Sequence, residues 1–315
     1  MWRYTIRRLS FLPLIMGLVS IITFVLLRVL PGDPAVIMAG QNARPEDIQA
    51  IRDYLGLDRS IPVQYLDWMG DTFHGDFGKT YFGRRDIFDE VVRRFPASAE
   101  IILLSLGISL AVGVPFGIIS AVMRNSSVDY SVRLFAVLGQ SIPEFFLLIL
   151  LIIIPSILFS YAPPSGGYVS PIEDPWRNIR IFVPPALILG LGGAAGIMRL
   201  VRATMLEVLR SDYVRTARAK GLQGRNIILN HAFRNTLAPL VTVMGIAFTA
   251  IFSGSVIAEK VMSIDGLGYF FFTSTLARDF PVVQFLVLYT ATVVVLTNLV
   301  VDLSYAWIDP RIRYR

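Results

Sequence analysis

The sequence predicts an all-α membrane protein with six transmembrane helices, on three observations. Hydrophobic residues make up 54% of the 315-residue chain and charged residues only 17%, where soluble proteins carry roughly 25% charge. The apolar residues fall in long blocks, several of about the 20 residues that a helix needs to cross a bilayer. The basic residues behind the formal net charge of +6 lie between those blocks, where lipid orientation accounts for them without a nucleic-acid partner. A mean hydropathy of +0.61 excludes a soluble binding module. The absence of cysteine removes disulfide frameworks, thiol catalysis and cysteine metal clusters, and His74 and His231 stand too far apart in sequence to suggest a histidine metal site.

The first block runs over about 9–30, behind Arg3, Arg7 and Arg8. It exceeds the roughly 7–15 apolar residues of a signal peptide, and Pro-Gly-Asp-Pro follows at 31–34 in place of a small-residue cleavage site. A retained first span is therefore expected. The segment 31–95 has mixed charge, and within it 45–57 reads as a short helix. Pro45 suits its first position, Glu46 and Asp47 its positive end, and Gly56 its stop. Further spans are expected at about 97–122, 134–160, 182–198, 236–258 and 282–306. The fourth is short and rich in glycine (Gly190, Gly192, Gly193, Gly196). These elements divide the chain into 1–95, a five-helix core at 96–306 and a basic tail at 307–315.

Charge asymmetry orients the spans. With a cytoplasmic N-terminus, that side carries sixteen basic residues, eight of them within 199–234, against four in the two short loops on the other side (Arg177, Arg180, Lys260, Arg278). Both termini are thus expected in the cytoplasm. Gly113 with Gly117, and Gly192 with Gly196, show the four-residue spacing that lets helix backbones approach closely in lipid; the alternative is that glycine is simply common in membrane helices.

The connection 199–235 is too polar to cross. Ser211 and Asp212 suit a helix start, Tyr213 to Lys220 would form about two turns, and Gly221 suits the residue after a helix that needs positive φ, with Arg218 and Lys220 favouring the dipole. Such a short basic helix lying along the membrane suits docking into a cytoplasmic partner, although the orientation rule alone also produces basic loops that dock nothing.

Glu144 follows Ser141 and Pro143 inside the third expected span. If that helix begins near Arg133, Glu144 lies about 16 Å in, near mid-membrane. An acidic group there costs about 3 kcal/mol on insertion scales. Two readings stand: Ser141, Pro143 and Glu144 line a translocation path, or Glu144 bonds backbone N–H groups or a polar neighbour beside the Pro143 break. Arg28 and Asp302, near span ends, read as anchors. Gly78-Lys79-Thr80 ends like a phosphate loop, but the required first glycine falls at Phe73, so no nucleotide site is expected.

"RTARAKGL" (215–222), followed by "HAFRNTLAP" (231–239), resembles the cytoplasmic loop of the binding-protein-dependent ABC importers, in particular the dipeptide, oligopeptide and nickel permease branch. The general pattern of those importers is Glu-Ala-Ala, three residues, Gly, nine residues, Ile-x-Leu-Pro. Here Arg215 and Thr216 replace the first two positions, Ala217 and Gly221 match, and Pro239 comes later; these departures resemble the peptide branch itself. "VLPGDPA" (29–35), "LGLD" (55–58), "QYLDW" (64–68), "GDFGKT" (75–80), "EKVMSIDGLG" (259–268), "RDFPVVQ" (278–284) and "DPRIRY" (309–314) extend the likeness, in order, over nearly the whole chain.

The resemblance implies a type I ABC importer permease in a bacterial cytoplasmic membrane. It also implies a second homologous permease, two ATP-binding subunits and an extracytoplasmic solute-binding protein as partners. ATP and Mg would be held by the partner subunits, with no cofactor and no catalysis on this chain. Tyr213, Arg215, Thr216, Ala217, Arg218, Lys220 and Gly221 would form the ATPase-coupling helix. Glu259, Asp265, Gly266 and Gly268 would lie in an outer loop near the entrance. Relatives with these motifs carry peptides, glutathione-like molecules, nickel chelates and some sugars, with peptide the expectation for the branch. One rival is a stand-alone secondary transporter, which predicts inverted repeats and midplane ion ligands. Another is an intramembrane enzyme, which needs a Ser–Lys, Ser–His or carboxylate pair that the spans do not offer.

Overall fold

The computed structural model describes residues 2–29, 32–40, 43–161, 163–164 and 166–308, with side chains placed from 10 to 304. The arginines at both termini, and with them the 309–314 motif, fall outside the described side chains. The described residues form thirteen α-helices and one π-helical turn; β pairing among them is confined to two isolated bridges. Five stretches are long and apolar enough to cross a membrane: 10–29, 87–122, 175–209, 224–261 and 280–304. A bent helix pair makes a sixth crossing if it counts as one span.

The chain divides into two compact units. Among the described residues, one holds 97–266 with 297–308, and the other 2–96 with 267–296.

In the first unit, helix α8 (Pro175–Leu209) is the most enclosed span. Buried residues make up 56% of its most apolar window, against 33% or less in the other spans. It packs against α6 (Ser127–Ser141), α7 (Glu144–Phe159) and α11 (Arg234–Val261). It also meets α5 (Ile87–Val122) at close range. A Cβ on Gly113 would lie 2.7 Å from the Cβ of Ile197, and one on Gly117 would lie 2.8 Å from that of Val201. The four-residue glycine spacing is therefore a helix-crossing device at this position, as lipid packing requires when backbones meet.

The expected continuous third span is instead two helices set at 90°. Pro143 explains the break: its ring disfavours the helical region for the residue before it, and Ile142 is extended (φ −94°, ψ 121°). The weak fourth span is corrected in the opposite sense, since α8 continues well past 182–198 in both directions despite Pro184 and Pro185.

The start of α6 is tied to α8 by a buried ion pair. Asp129 is fully buried and accepts two hydrogen bonds from Arg202, at 2.7 and 2.8 Å. Ser120 Oγ (2.6 Å) and the Asn125 backbone N–H (3.0 Å) also donate to it. Both carboxylate oxygens are thus satisfied, the condition under which a buried pair is tolerated.

In the second unit, α1 (Trp2–Val29) carries Phe24, whose ring meets Tyr65 and Trp68 of α4 (Ile61–Phe73) at 5.5 and 5.6 Å. The expected helix at 45–57 forms as α3 (Pro45–Tyr54), with Asp47 accepting from the Arg44 N–H, and Gly56 beyond its end at φ +62°. The short α2 (Pro34–Ala39) precedes it, capped by Asp33, which also pairs with Arg52. A buried cluster of Ile87, Val91, Leu267, Phe270, Val282 and Leu286 gathers α5, α12 (Leu267–Ala277) and α13 (Phe280–Ile308).

Between α12 and α13, Asp279 is buried and accepts from the Tyr81 N–H at 2.9 Å. Burial raises its carboxyl to about 6, against the backbone hydrogen bonds that lower it. The folded chain therefore holds this proton more tightly than the unfolded chain, and stability should fall as pH rises from about 4 to about 6, then level off. Asp279→Asn should remove that slope in unfolding titrations between pH 4 and 7; an unchanged slope would assign it to other groups.

Candidate functional site

Helix α8 ends at Arg210, where Ser211 Oγ donates to the Val208 carbonyl at 2.6 Å. Ser211 is extended (φ −67°, ψ 152°), and the chain re-enters a helix as α9 (Asp212–Ala219). The sequence predicted this element within one residue at each end. Gly221 adopts φ +78°, as the stop requires, and the Gly221 N–H donates to the Arg218 carbonyl at 2.9 Å.

Two residues fasten α9. Val214 and Ala217, three apart and so on one helix face, are buried with Ile227 against Val208 and Leu209. Val214 carried a sequence signal, the i, i+3 apolar pair, that the basic composition of the loop masked. On the exposed side, the Tyr213 hydroxyl donates to the His231 carbonyl (3.4 Å) and accepts from Asn235 Nδ2 (2.9 Å). His231 lies in a π-helical turn, Ile227–Phe233, which follows the short α10 (Gly224–Asn226) and leads directly into α11.

Tyr213, Arg215, Thr216, Arg218, Lys220 and Gly221 are all exposed. Arg215 makes an i, i+3 pair with Asp212 at 3.4 Å, a solvated contact of little energetic weight. The predicted docking residues, apart from the buried Ala217, thus form an open polar face on a helix whose other face is clamped to the spans.

The broken span holds the second predicted group. Ser141 closes α6, with its hydroxyl donating to the Val137 carbonyl at 2.8 Å. Pro143 is the extended residue before α7, and Glu144 opens that helix. The expectation of Glu144 eleven residues into a straight helix is corrected: it follows a right-angle break. Its carboxylate lies between two glycines of neighbouring helices. A Cβ on Gly192 of α8 would meet Oε1 at 2.6 Å, and one on Gly254 of α11 would meet Oε2 at 2.9 Å. Gln140 lies against Gly196 in the same row, 3.4 Å from its Cβ position. No hydrogen bond or ion pair to the Glu144 side chain is found among the described residues. The glycine row at 192 and 196 therefore accommodates polar side chains, while the row at 113 and 117 accommodates a helix.

The outer-loop residues separate. Glu259 is fully buried near the end of α11 and accepts from Ser98 Oγ at 2.6 Å. Gly266 is packed against that carboxylate, and its N–H donates to the Ile264 carbonyl at 2.8 Å. Asp265 is half-buried between them in sequence. Gly268 lies in α12, in the other compact unit. A buried Glu259 supports the fold of its loop and is not displayed to solvent.

The chain matches the family model described as "Binding-protein-dependent transport system inner membrane component" over residues 113–314. Residues 1–102 match the model for the N-terminal part of such a membrane component.

The chain belongs to the binding-protein-dependent transport system inner membrane components.

As such it is a membrane-embedded permease subunit and not a member of an enzyme family. Among relatives of this permease, a Brucella abortus protein named as a peptide transport system permease is 39% identical over 300 residues, 95% of each chain. The glutathione transport system permease GsiC of Escherichia coli is 38% identical over the whole of both chains. The oligopeptide transport system permease AppB of Bacillus subtilis is 34% identical over 99% of each. Among solved structures, the inward-facing MetNI methionine ABC transporter matches with a TM-score of 0.57 at 19% identity. That match covers 70% of this chain and 96% of the other, and it shows the type I importer permease fold.

Proposed function

We propose that this permease forms one wall of the peptide path of an ATP-driven importer and is driven through α9. The observation that carries the reading is the construction of α9 itself. It is a two-turn helix with its apolar face fixed to the ends of two spans and its polar face, Tyr213 to Gly221, open to a partner. A docking element that transmits force must be rigid toward the span and available toward the driver, and α9 is both. The relatives named as peptide, oligopeptide and glutathione permeases support peptide as cargo.

In this reading both termini face the cytoplasm. A second permease completes the path, two ATP-binding subunits hold ATP and Mg, and a solute-binding protein delivers cargo from outside. Closure of the ATP-binding subunits displaces α9, and α8 and α11 carry the displacement into the membrane. Coupling demands that the two global states bind the driver differently, and the contacts of Arg215, Arg218 and Lys220 supply that difference. Ser141, Pro143 and Glu144 line the path, with the Glu144 carboxylate available to a peptide ammonium group.

ATP-driven uptake of a labelled tripeptide into proteoliposomes tests the assignment. Arg218→Glu and Gly221→Pro should insert and assemble normally yet lower uptake roughly tenfold to a hundredfold, the range of common coupling free energies, with ATP hydrolysis retained. In the same assay Glu144→Gln should lower uptake roughly tenfold, the loss of one charge-assisted bond. Normal uptake in both α9 variants would refute the coupling role, and wild-type uptake in Glu144→Gln would remove that carboxylate from the path.

A further inference from the structure

A cleft of about 670 Å³ opens in the unit formed by 2–96 and 267–296, within the roughly 300–1,000 Å³ of small-molecule sites. Its lining includes Phe24, Arg28, Trp68 and Tyr81, together with the exposed carboxylates of Asp71 and Asp76. Arg28 sits at the last turn of α1, where an arginine would be expected to extend toward lipid headgroups as an anchor. It does not do so. Its guanidinium carbon lies 5.0 Å from the centre of the Phe24 ring, and the Tyr81 side chain lines the same cleft. Nε and Nη1 are enclosed without a hydrogen-bond partner, and no carboxylate pairs with the group among the described residues.

The neighbouring arginines set the contrast. Arg52 pairs with Asp33 and Asp58, Arg59 with Asp67, and Arg85, Arg93 and Arg94 all with Glu90. Those five arginines are held by carboxylates, whereas Arg28, at a cleft, has two enclosed nitrogens without a hydrogen-bond partner. Buried unsatisfied donors are costly, and a guanidinium fork is shaped for a carboxylate.

We infer that the cleft binds a small zwitterionic solute of short-peptide size, its carboxylate on Arg28 and its ammonium group toward Asp71 and Asp76. In naming a peptide, the inference rests on the cargo reading above, and the cleft faces outside in the orientation given there. It would be a holding site on the permease, separate from the Glu144 region.

The test is equilibrium binding of trialanine and of trialanine amide to the intact importer in lipid nanodiscs, without its binding protein. The free acid should bind about tenfold tighter or more. Arg28→Gln should abolish the difference between the two probes, and Arg28→Lys should retain part of it. Equal binding of acid and amide by the wild-type complex, which needs no variant to fold, overturns the inference. So does a difference that persists in Arg28→Gln. Weaker capture of the binding protein by Arg28→Gln, with the acid–amide difference intact, also overturns it, in favour of a protein carboxylate. Uptake of trialanine in proteoliposomes separates the two readings. Uptake with equal acid and amide binding sinks the cleft alone. No uptake of trialanine or other tripeptides sinks the peptide cargo, while Arg28-dependent discrimination still supports a carboxylate site.

Discussion

Arg202→Met is expected to destabilise the permease by roughly 3–5 kcal/mol, the usual consequence of stranding a buried charge. Asp129 has no exposure to solvent, and Arg202 supplies two of the four hydrogen bonds that hold it. Ser120 and the Asn125 N–H would remain, but two neutral donors do not replace a bidentate guanidinium. The pair joins the first turn of α6 to the part of α8 that leads into α9, so its loss should also loosen the base of the α9 clamp. Asp129→Leu combined with Arg202→Met should recover most of the loss, because a hydrophobic pair of similar volume needs no compensating charge. Denaturant unfolding of the detergent-solubilised complex measures both variants. A double variant no more stable than Arg202→Met alone would show that the pair contributes by geometry and not by charge compensation.

Gly266→Ala is expected to be nearly as damaging, although it adds a single methyl group. The new Cβ would lie 2.5 Å from the Glu259 Cδ and 2.7 Å from the Ser98 Oγ. Neither neighbour can move into solvent, since Glu259 is fully buried and Ser98 is 4% exposed. The substitution must therefore displace the carboxylate and break its 2.6 Å bond from Ser98. Overpacking costs about 1–3 kcal/mol and loss of a charge-assisted hydrogen bond costs about 1.5–3 kcal/mol. Adding Glu259→Ala should relieve the clash, so the two changes together should cost less than their sum. Strict additivity would show that the contact with Glu259 is not what makes the substitution costly.

Much of this architecture was legible before any coordinates. Apolar blocks of spanning length do not depend on what packs beside them, because the bilayer demands that every crossing segment satisfy its own backbone. The α9 boundaries were equally local: Ser211, Asp212 and Gly221 carry the start and stop chemistry within a few residues of one another. Other features have no local signal. Asp129 and Arg202 lie 73 positions apart, and nothing in either neighbourhood names the other. The glycine rows looked alike at 113/117 and 192/196, yet one meets the β-branched side chains of Ile197 and Val201 and the other meets Glu144 and Gln140. Arg28 read as a lipid anchor because its position at a span end is all that the sequence displays.

By itself, the sequence determined the solvent of this protein, the order of its apolar blocks of spanning length and the bounds of the short basic helix α9, while the family model and the relatives placed the chain in a transport system. Those properties follow from hydropathy, charge distribution and capping, which act within one or two helical turns. Pro143 marked the break in the third apolar segment locally, but tertiary structure alone decided that Glu144 lies among glycines, that Glu259 is internal and that Arg28 turns into a cleft. Each of these depends on which distant side chain fills or vacates a given space, and close packing transmits that information only through contact.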